Sequence, residues 1–220
     1  MDKNLNLAEE LLLLALNEEK GTVVFAASMA LPYGLAGALL IELANAGLVR
    51  VEGKTLVPAP RGSARDELLD GVLGTVRASA KERSLEHWVG KVGRSGGKIK
   101  KEILARLVEK RILVKEERRI LWLFPDARYP QSDPRPESLI RERVRSGIRG
   151  CTPPPERTAA LISLLYACEL VGVLFEKGER REARKRAKEI SQVQPIGSAV
   201  ARAVAAVRTA VIAAAASGAS

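Results

Sequence analysis

Residues 98–124 read KIKKEILARLVEKRILVKEERRILWLF, and the fold turns on how this stretch is parsed. Its first half predicts an amphipathic helix, with Ile99, Ile103, Leu104, Leu107 and Val108 on one face. Its second half predicts a β-hairpin whose return strand, residues 120–125, lacks polar alternation. Between Lys91 and Arg119 there are eleven Lys/Arg against four acidic residues, so a negatively charged partner is expected here.

Working outward, the helix-plus-hairpin pattern occurs once more upstream. Offset by 64 residues, Leu43 falls on Leu107, Leu48 on Ile112, Val49 on Leu113, Glu52 on Glu116 and Leu56 on Ile120. Residues 34–59 and 98–125 are therefore candidates for an internal repeat. The alternative is that any two helix–hairpin units look alike at this level. The remaining segments are mostly helical by pattern: 5–16, 34–46, 66–73, 75–89, 137–147, 156–175, 179–190 and 198–216. A short strand is expected at 22–25, and a flexible cationic loop at 91–97. The chain has 220 residues, 46% hydrophobic and only 4% aromatic. That composition favours helices over a sandwich or barrel. The expectation is a mainly α fold, one domain over 1–220, with amphipathic helices and short β-hairpins around a helical-bundle core.

The net charge is +10, which points to nucleic acid, an acidic membrane surface or phosphorylated ligands. Cys151 and Cys168 do not form the framework of a secreted disulfide protein, and are read as reduced thiols in a cytoplasmic chain. The N-terminus lacks a signal-peptide pattern. The run 161–175 is too short to cross a membrane and contains Glu169.

Little points to catalysis. His87 is the only histidine, and general-base chemistry needs an orienting partner. Metal-ligand spacing is lacking, and residues 93–98, GRSGGK, miss the phosphate-loop order. Acid pairs such as Glu9–Glu10 and Glu116–Glu117 suit helix starts and turns. No enzyme, no cofactor and no metal site is expected.

Binding is better supported. Arg94 and the glycines before Lys98, Lys100 and Lys101 would place helix-start amides and cations around an anion. Lys100 lies within the apolar arc of its helix, so it either leaves the core or meets a negative group. Leu121, Trp122, Leu123 and Phe124 are either buried or form an apolar surface for a membrane or a second subunit. A winged-helix nucleic-acid binder is the competing reading. Against it, residues 34–46 carry no Arg, Lys or Gln to reach bases.

In order along the chain, LAEELLLLALNEEKG, YGLAGALLIELANAGLVRVEG, ARLVEKRILVKEERRILWLF and ERTAALISLLYACELVGVLFEKGERREARKRAKEI resemble the Golgi phosphoprotein 3 family. The resemblance implies a helical domain that binds phosphatidylinositol 4-phosphate at the cytoplasmic face of a membrane as a non-catalytic adaptor. It also implies membrane association and self-association through a hairpin at residues 114–125. In that family a Trp and three Arg form the headgroup pocket. Their positions here hold Ala27, Ala36, Gly97 and Lys100, with Lys98 adjacent to the third. Lacking the long basic leader of some eukaryotic members, the chain resembles a prokaryotic-type member. Binding to anionic membranes without one fixed headgroup is the alternative.

Overall fold

The computed structural model describes residues 5–18, 20–120 and 124–217. Among them are nine α-helices and two small antiparallel sheets, so the fold is mainly α. Helix α1 (Leu7–Ala15) is buried along its whole length. Asn6 caps it: the Glu9 amide donates to Asn6 Oδ1 at 2.9 Å, and the Asn6 amide donates to Glu9 Oε2 at 2.8 Å. This reciprocal box satisfies two amides that would otherwise lack partners.

Helix α2 (Leu31–Asn45) is the centre of the bundle. It touches α1 and α3 (Glu67–Arg77), then α4 (Leu85–Gly93) and α5 (Gly96–Glu109), and finally α7 (Glu156–Ala167) and α9 (Pro195–Ser217). Such crowding requires a small residue at a contact. A Cβ on Gly37 would lie 2.3 Å from Val200 Cγ2 and 3.1 Å from Leu164 Cδ2. Buried from Gly34 to Ile41, α2 cannot lay that face in a nucleic-acid groove, which counts against the first of the two candidate recognition helices of the winged-helix reading.

Two polar clusters tie the helices together. Glu9 and Glu10 are 1% and 4% exposed. Lys110 Nζ lies 2.7 Å from Glu9 Oε1, and Arg143 Nη2 lies 2.6 Å from Glu10 Oε2. Arg157 reaches Glu10, Glu42 and the Leu5 carbonyl. The acid pair expected only to complement a helix start thus joins α1 to α5, α2, α7 and α6 (Arg135–Arg149). Arg106 grips Asp66, the N-cap of α3, with two hydrogen bonds. Burial pushes the Asp66 carboxyl up, but those bonds and the Leu69 amide outweigh it and hold the group below its usual range.

The two helix–hairpin units end their helices alike. Gly47 and Arg111, 64 residues apart, both adopt positive φ (68° and 54°) just after a helix. The Leu48 amide donates to Leu43 O at 2.9 Å, and the Ile112 amide to Leu107 O at 3.0 Å. The two helix ends are the same left-handed stop. The hairpins differ. Strands β1 (Val49–Glu52) and β2 (Thr55–Pro58) pair Val49 with Pro58. In the second unit Leu113 bridges Gln131, and β4 (Glu116–Ile120) pairs with β5 (Phe124–Arg128) in the same register. Glu116 lies within β4 opposite Arg128, so it is not a turn residue. Ile120 ends β4 and Phe124 begins β5, so the described ends of the run 120–125 belong to two different strands. Leu121, Trp122 and Leu123, and the side chain of Phe124, lie outside the described residues.

Other boundaries also move. Val23 makes only an isolated bridge to Leu16, and a 3-10 turn, Phe25–Ala27, replaces the strand expected at 22–25. The helix expected over 75–89 breaks, and β3 (Arg83–Ser84) adds to β2. The long apolar helix stops at Ala167, because Glu169 takes φ 60° and a 3-10 turn follows. Helix α8 (Arg180–Gln192) buries only a narrow stripe of Ala183, Ala187 and Ile190 with Ser191, close to the pattern expected.

Candidate functional site

The segment expected to be a flexible loop, 91–97, is mostly helix. Lys91 and Gly93 belong to α4, Gly96 and Gly97 open α5, and only Arg94 and Ser95 lie between. Gly96 allows this tight junction to press on α2, since a Cβ there would stand 2.4 Å from Pro32 Cβ. The N-terminal ends of α2 and α5 thus meet. Neither has a side-chain cap, and neither carries an acidic residue in its first turn. Gly96 and Gly97 supply the first amides of α5, which have no carbonyl to bond within their own helix. Both helix starts are electropositive by their dipoles.

Between these ends lies a cavity of about 130 Å³. Leu31, Pro32 and Leu35 of α2 form one wall, and Gly96, Gly97 and Lys100 of α5 form the other. Val23 and Ser28 close the third side. Lys100 is half-buried; Ile99, Ile103, Leu104 and Leu107 beside it are buried. Arg94, Lys98 and Lys101 are exposed around the same helix start. Among the described residues none of the four forms an ion pair or a side-chain hydrogen bond. The nearest acid on α5, Glu102, is held by Arg106 at 2.9 Å.

The basic stretch therefore divides by role. Lys110 and Arg106 neutralise interior carboxylates. Lys91 lies over the Trp88 ring, 5.2 Å from its centroid. Arg94, Lys98, Lys100 and Lys101 leave their charge available. His87 stacks edge-on against Trp88 at 5.3 Å, as a structural histidine would. Partial burial and the charges of Arg83, Lys91 and Arg94 hold it below its usual pKa.

Of the four cations named from the sequence, only Lys100 lines the cavity, while Arg94, Lys98 and Lys101 lie exposed outside it, and the residues that form its other wall were missed. Pro32, Leu31 and Ser28 come from a helix start more than 60 residues away, and no local pattern links the two ends. The close-packing signal was Gly96 preceding a helix. Ala27 and Ala36, at the Trp position and one Arg position of the resemblance, are both wholly buried. Neither offers a polar group to a ligand. Gly97, in contrast, faces open space.

Among the described residues there is no group of three or more His, Cys, Asp or Glu placed to hold a metal, and no helix long and apolar enough to cross a membrane. The sequence model of the family described as Golgi phosphoprotein 3 (GPP34) matches residues 7–207. No curated protein matches the chain significantly.

Proposed function

This chain belongs to the Golgi phosphoprotein 3 family, and from that premise we propose that it is a non-catalytic, peripheral membrane protein that binds phosphorylated lipid headgroups. The observation that carries this reading is Lys100. It is a half-buried cation without an ionic partner, set in a cavity between two uncapped helix starts. A phosphate monoester satisfies both features at once, taking the amides of Gly96 and Gly97 and the Lys100 ammonium. Lys98, Lys101 and Arg94 attract the surrounding anionic surface.

The headgroup is phosphatidylinositol 4-phosphate or another anionic lipid. Lysine holds phosphate as a point charge and lacks the guanidinium fork that reads its orientation. With Ala27, Ala36 and Gly97 at the other pocket positions, preference for the 4-phosphate is expected to be modest. The bilayer is the cytoplasmic face of a membrane, where anionic lipids concentrate. The apolar residues Leu121, Trp122, Leu123 and Phe124 add membrane contact or join two copies of the chain, and the bound protein acts as an adaptor for other proteins.

Vesicle sedimentation tests the reading. The chain should sediment with vesicles containing phosphatidylinositol 4-phosphate or phosphatidylserine and not with neutral ones, and salt should weaken the binding. Each cation near such a surface contributes on the order of 1 kcal/mol, so changing Lys98, Lys100 and Lys101 to Glu should lower affinity about a hundredfold or more. Equal binding to neutral vesicles, or an unaffected triple variant, would refute it.

A further inference from the structure

Phe25 is 93% exposed and Met29 is 45% exposed. Both stand on the connection between α1 and α2, just before α2 begins. Residues 24–30 are bonded through their own backbone: the Ala27 amide donates to Val24 O at 3.0 Å, Ser28 to Phe25 O at 3.1 Å and Ala30 to Ala27 O at 3.0 Å. The chain thus holds two large apolar side chains in solvent on a well-bonded turn. Scattered surface leucines need no explanation, but a nearly fully exposed phenylalanine beside a second apolar residue marks a contact surface.

The surroundings identify the contact. On one side of the turn, Val23 and Ser28 line the Lys100 cavity. On the other, Ala26 lines a groove of about 520 Å³ shared with Tyr166, Val204 and Arg184. Arg184 belongs to a row on α8 formed by Arg181, Arg184, Lys185 and Lys188. Their spacing of three, four and seven residues puts them on one helix face. All four are exposed, and among the described residues none forms an ion pair. The apolar tip therefore stands between two sets of uncompensated cations, one on α5 and one on α8.

An apolar tip flanked by cations fits the interface of an anionic bilayer. The cations meet headgroup phosphates while the tip passes below them to the acyl boundary. A second copy of the chain fits poorly, because it would bring like charges together. We propose that the turn bearing Phe25 and Met29 is a membrane-inserting wedge, which seats the Lys100 cavity and the α8 row on one anionic bilayer surface. This rests on the lipid-binding reading above and adds a second apolar anchor, distant in sequence from residues 121–124.

The test compares the parental chain with Phe25→Ser/Met29→Ser on phosphatidylcholine vesicles containing phosphatidylserine. Exposed positions tolerate serine, and an unchanged thermal unfolding curve establishes the fold. Losing both side chains from an apolar environment should weaken vesicle binding about tenfold or more. Affinity for soluble inositol 1,4-bisphosphate should not change. In a Phe25→Trp variant, fluorescence beyond that of the parental chain should be quenched by lipids brominated on their acyl chains. Unchanged vesicle binding by the double variant, or no such quenching, overturns the wedge and leaves headgroup binding standing. Failure of the parental chain to bind anionic vesicles overturns both. A parental dimer that the double variant dissociates would assign this surface to a second copy and overturn the wedge.

Discussion

Pro32, at the start of α2, lies against Gly96, the first residue of α5, so closely that a Cβ on Gly96 would stand 2.4 Å from Pro32 Cβ and 2.7 Å from its Cα. This contact brings two helix starts to one place and sets the width of the cavity that Lys100 enters. Everything proposed about headgroup binding depends on that approach.

Gly96→Ala and Gly97→Ala should accordingly part ways. Both are first-turn positions of α5, where replacing glycine by alanine gains up to about 1 kcal/mol from backbone entropy alone. At Gly97 nothing lies within 4 Å of the new methyl, so the variant should be neutral or slightly stabilised. At Gly96 the methyl strikes ring and backbone atoms of Pro32, and a net loss of about 1–3 kcal/mol is expected. Urea unfolding measures both, and vesicle binding should weaken only in the Gly96 variant.

The open space at Gly97 allows a gain of function. Gly97→Arg adds a forked cation at the cavity mouth, and anionic-vesicle affinity should rise about fivefold at low salt. Ala36→Arg, at another Arg position of the family pocket, should not fold, because Ala36 is wholly buried and a charge there would lack a partner. Sedimentation with vesicles checks the first, and circular dichroism the second.

How much of this was legible in the sequence follows from the range of each interaction. The α5 face was readable because helical periodicity is local, and Lys100 sits where that periodicity puts it. The shared helix stops at Gly47 and Arg111 were readable as a 64-residue offset. The second hairpin was misread because its apolar run resembles one strand, whereas Ile120 and Phe124 belong to opposite strands, β4 and β5. The break at Glu169 was hidden for the same reason: buried residues on both sides make helix and turn look alike. The cavity itself was illegible, since it joins Val23, Ser28 and Pro32 to Gly96 and Lys100, and only the folded bundle brings them together.

His87 gives a pH readout that a single histidine makes clean. Partial burial and then Arg83, Lys91 and Arg94 hold it below its ordinary value of 6.5, so the native state takes up this proton less readily than the unfolded chain. Its contribution should therefore be complete above that value and diminish as pH falls through about 6.5. In a proton NMR titration its midpoint should lie below 6.5 and rise when salt or anionic vesicles screen the neighbouring cations.

The two thiols should differ in reactivity. Cys151 is exposed, whereas Cys168 is buried against α2 with its thiol pushed up to about 12 by desolvation. Thiolate is the reactive form. A thiol reagent at mildly alkaline pH should modify Cys151 rapidly and Cys168 only after unfolding, which mass spectrometry of the intact chain resolves as one adduct, then two.

The most direct test of the headgroup site is a ¹H–¹⁵N NMR titration of the full chain with inositol 1,4-bisphosphate, repeated on Lys100→Glu. A phosphate held by the α5 start should produce saturable shifts at the amides of Gly96, Gly97 and Lys98, and the Lys100 variant should abolish them. Absence of saturable shifts there, or the same titration in the Lys100 variant, would contradict the assignment of this cavity as the phosphate site.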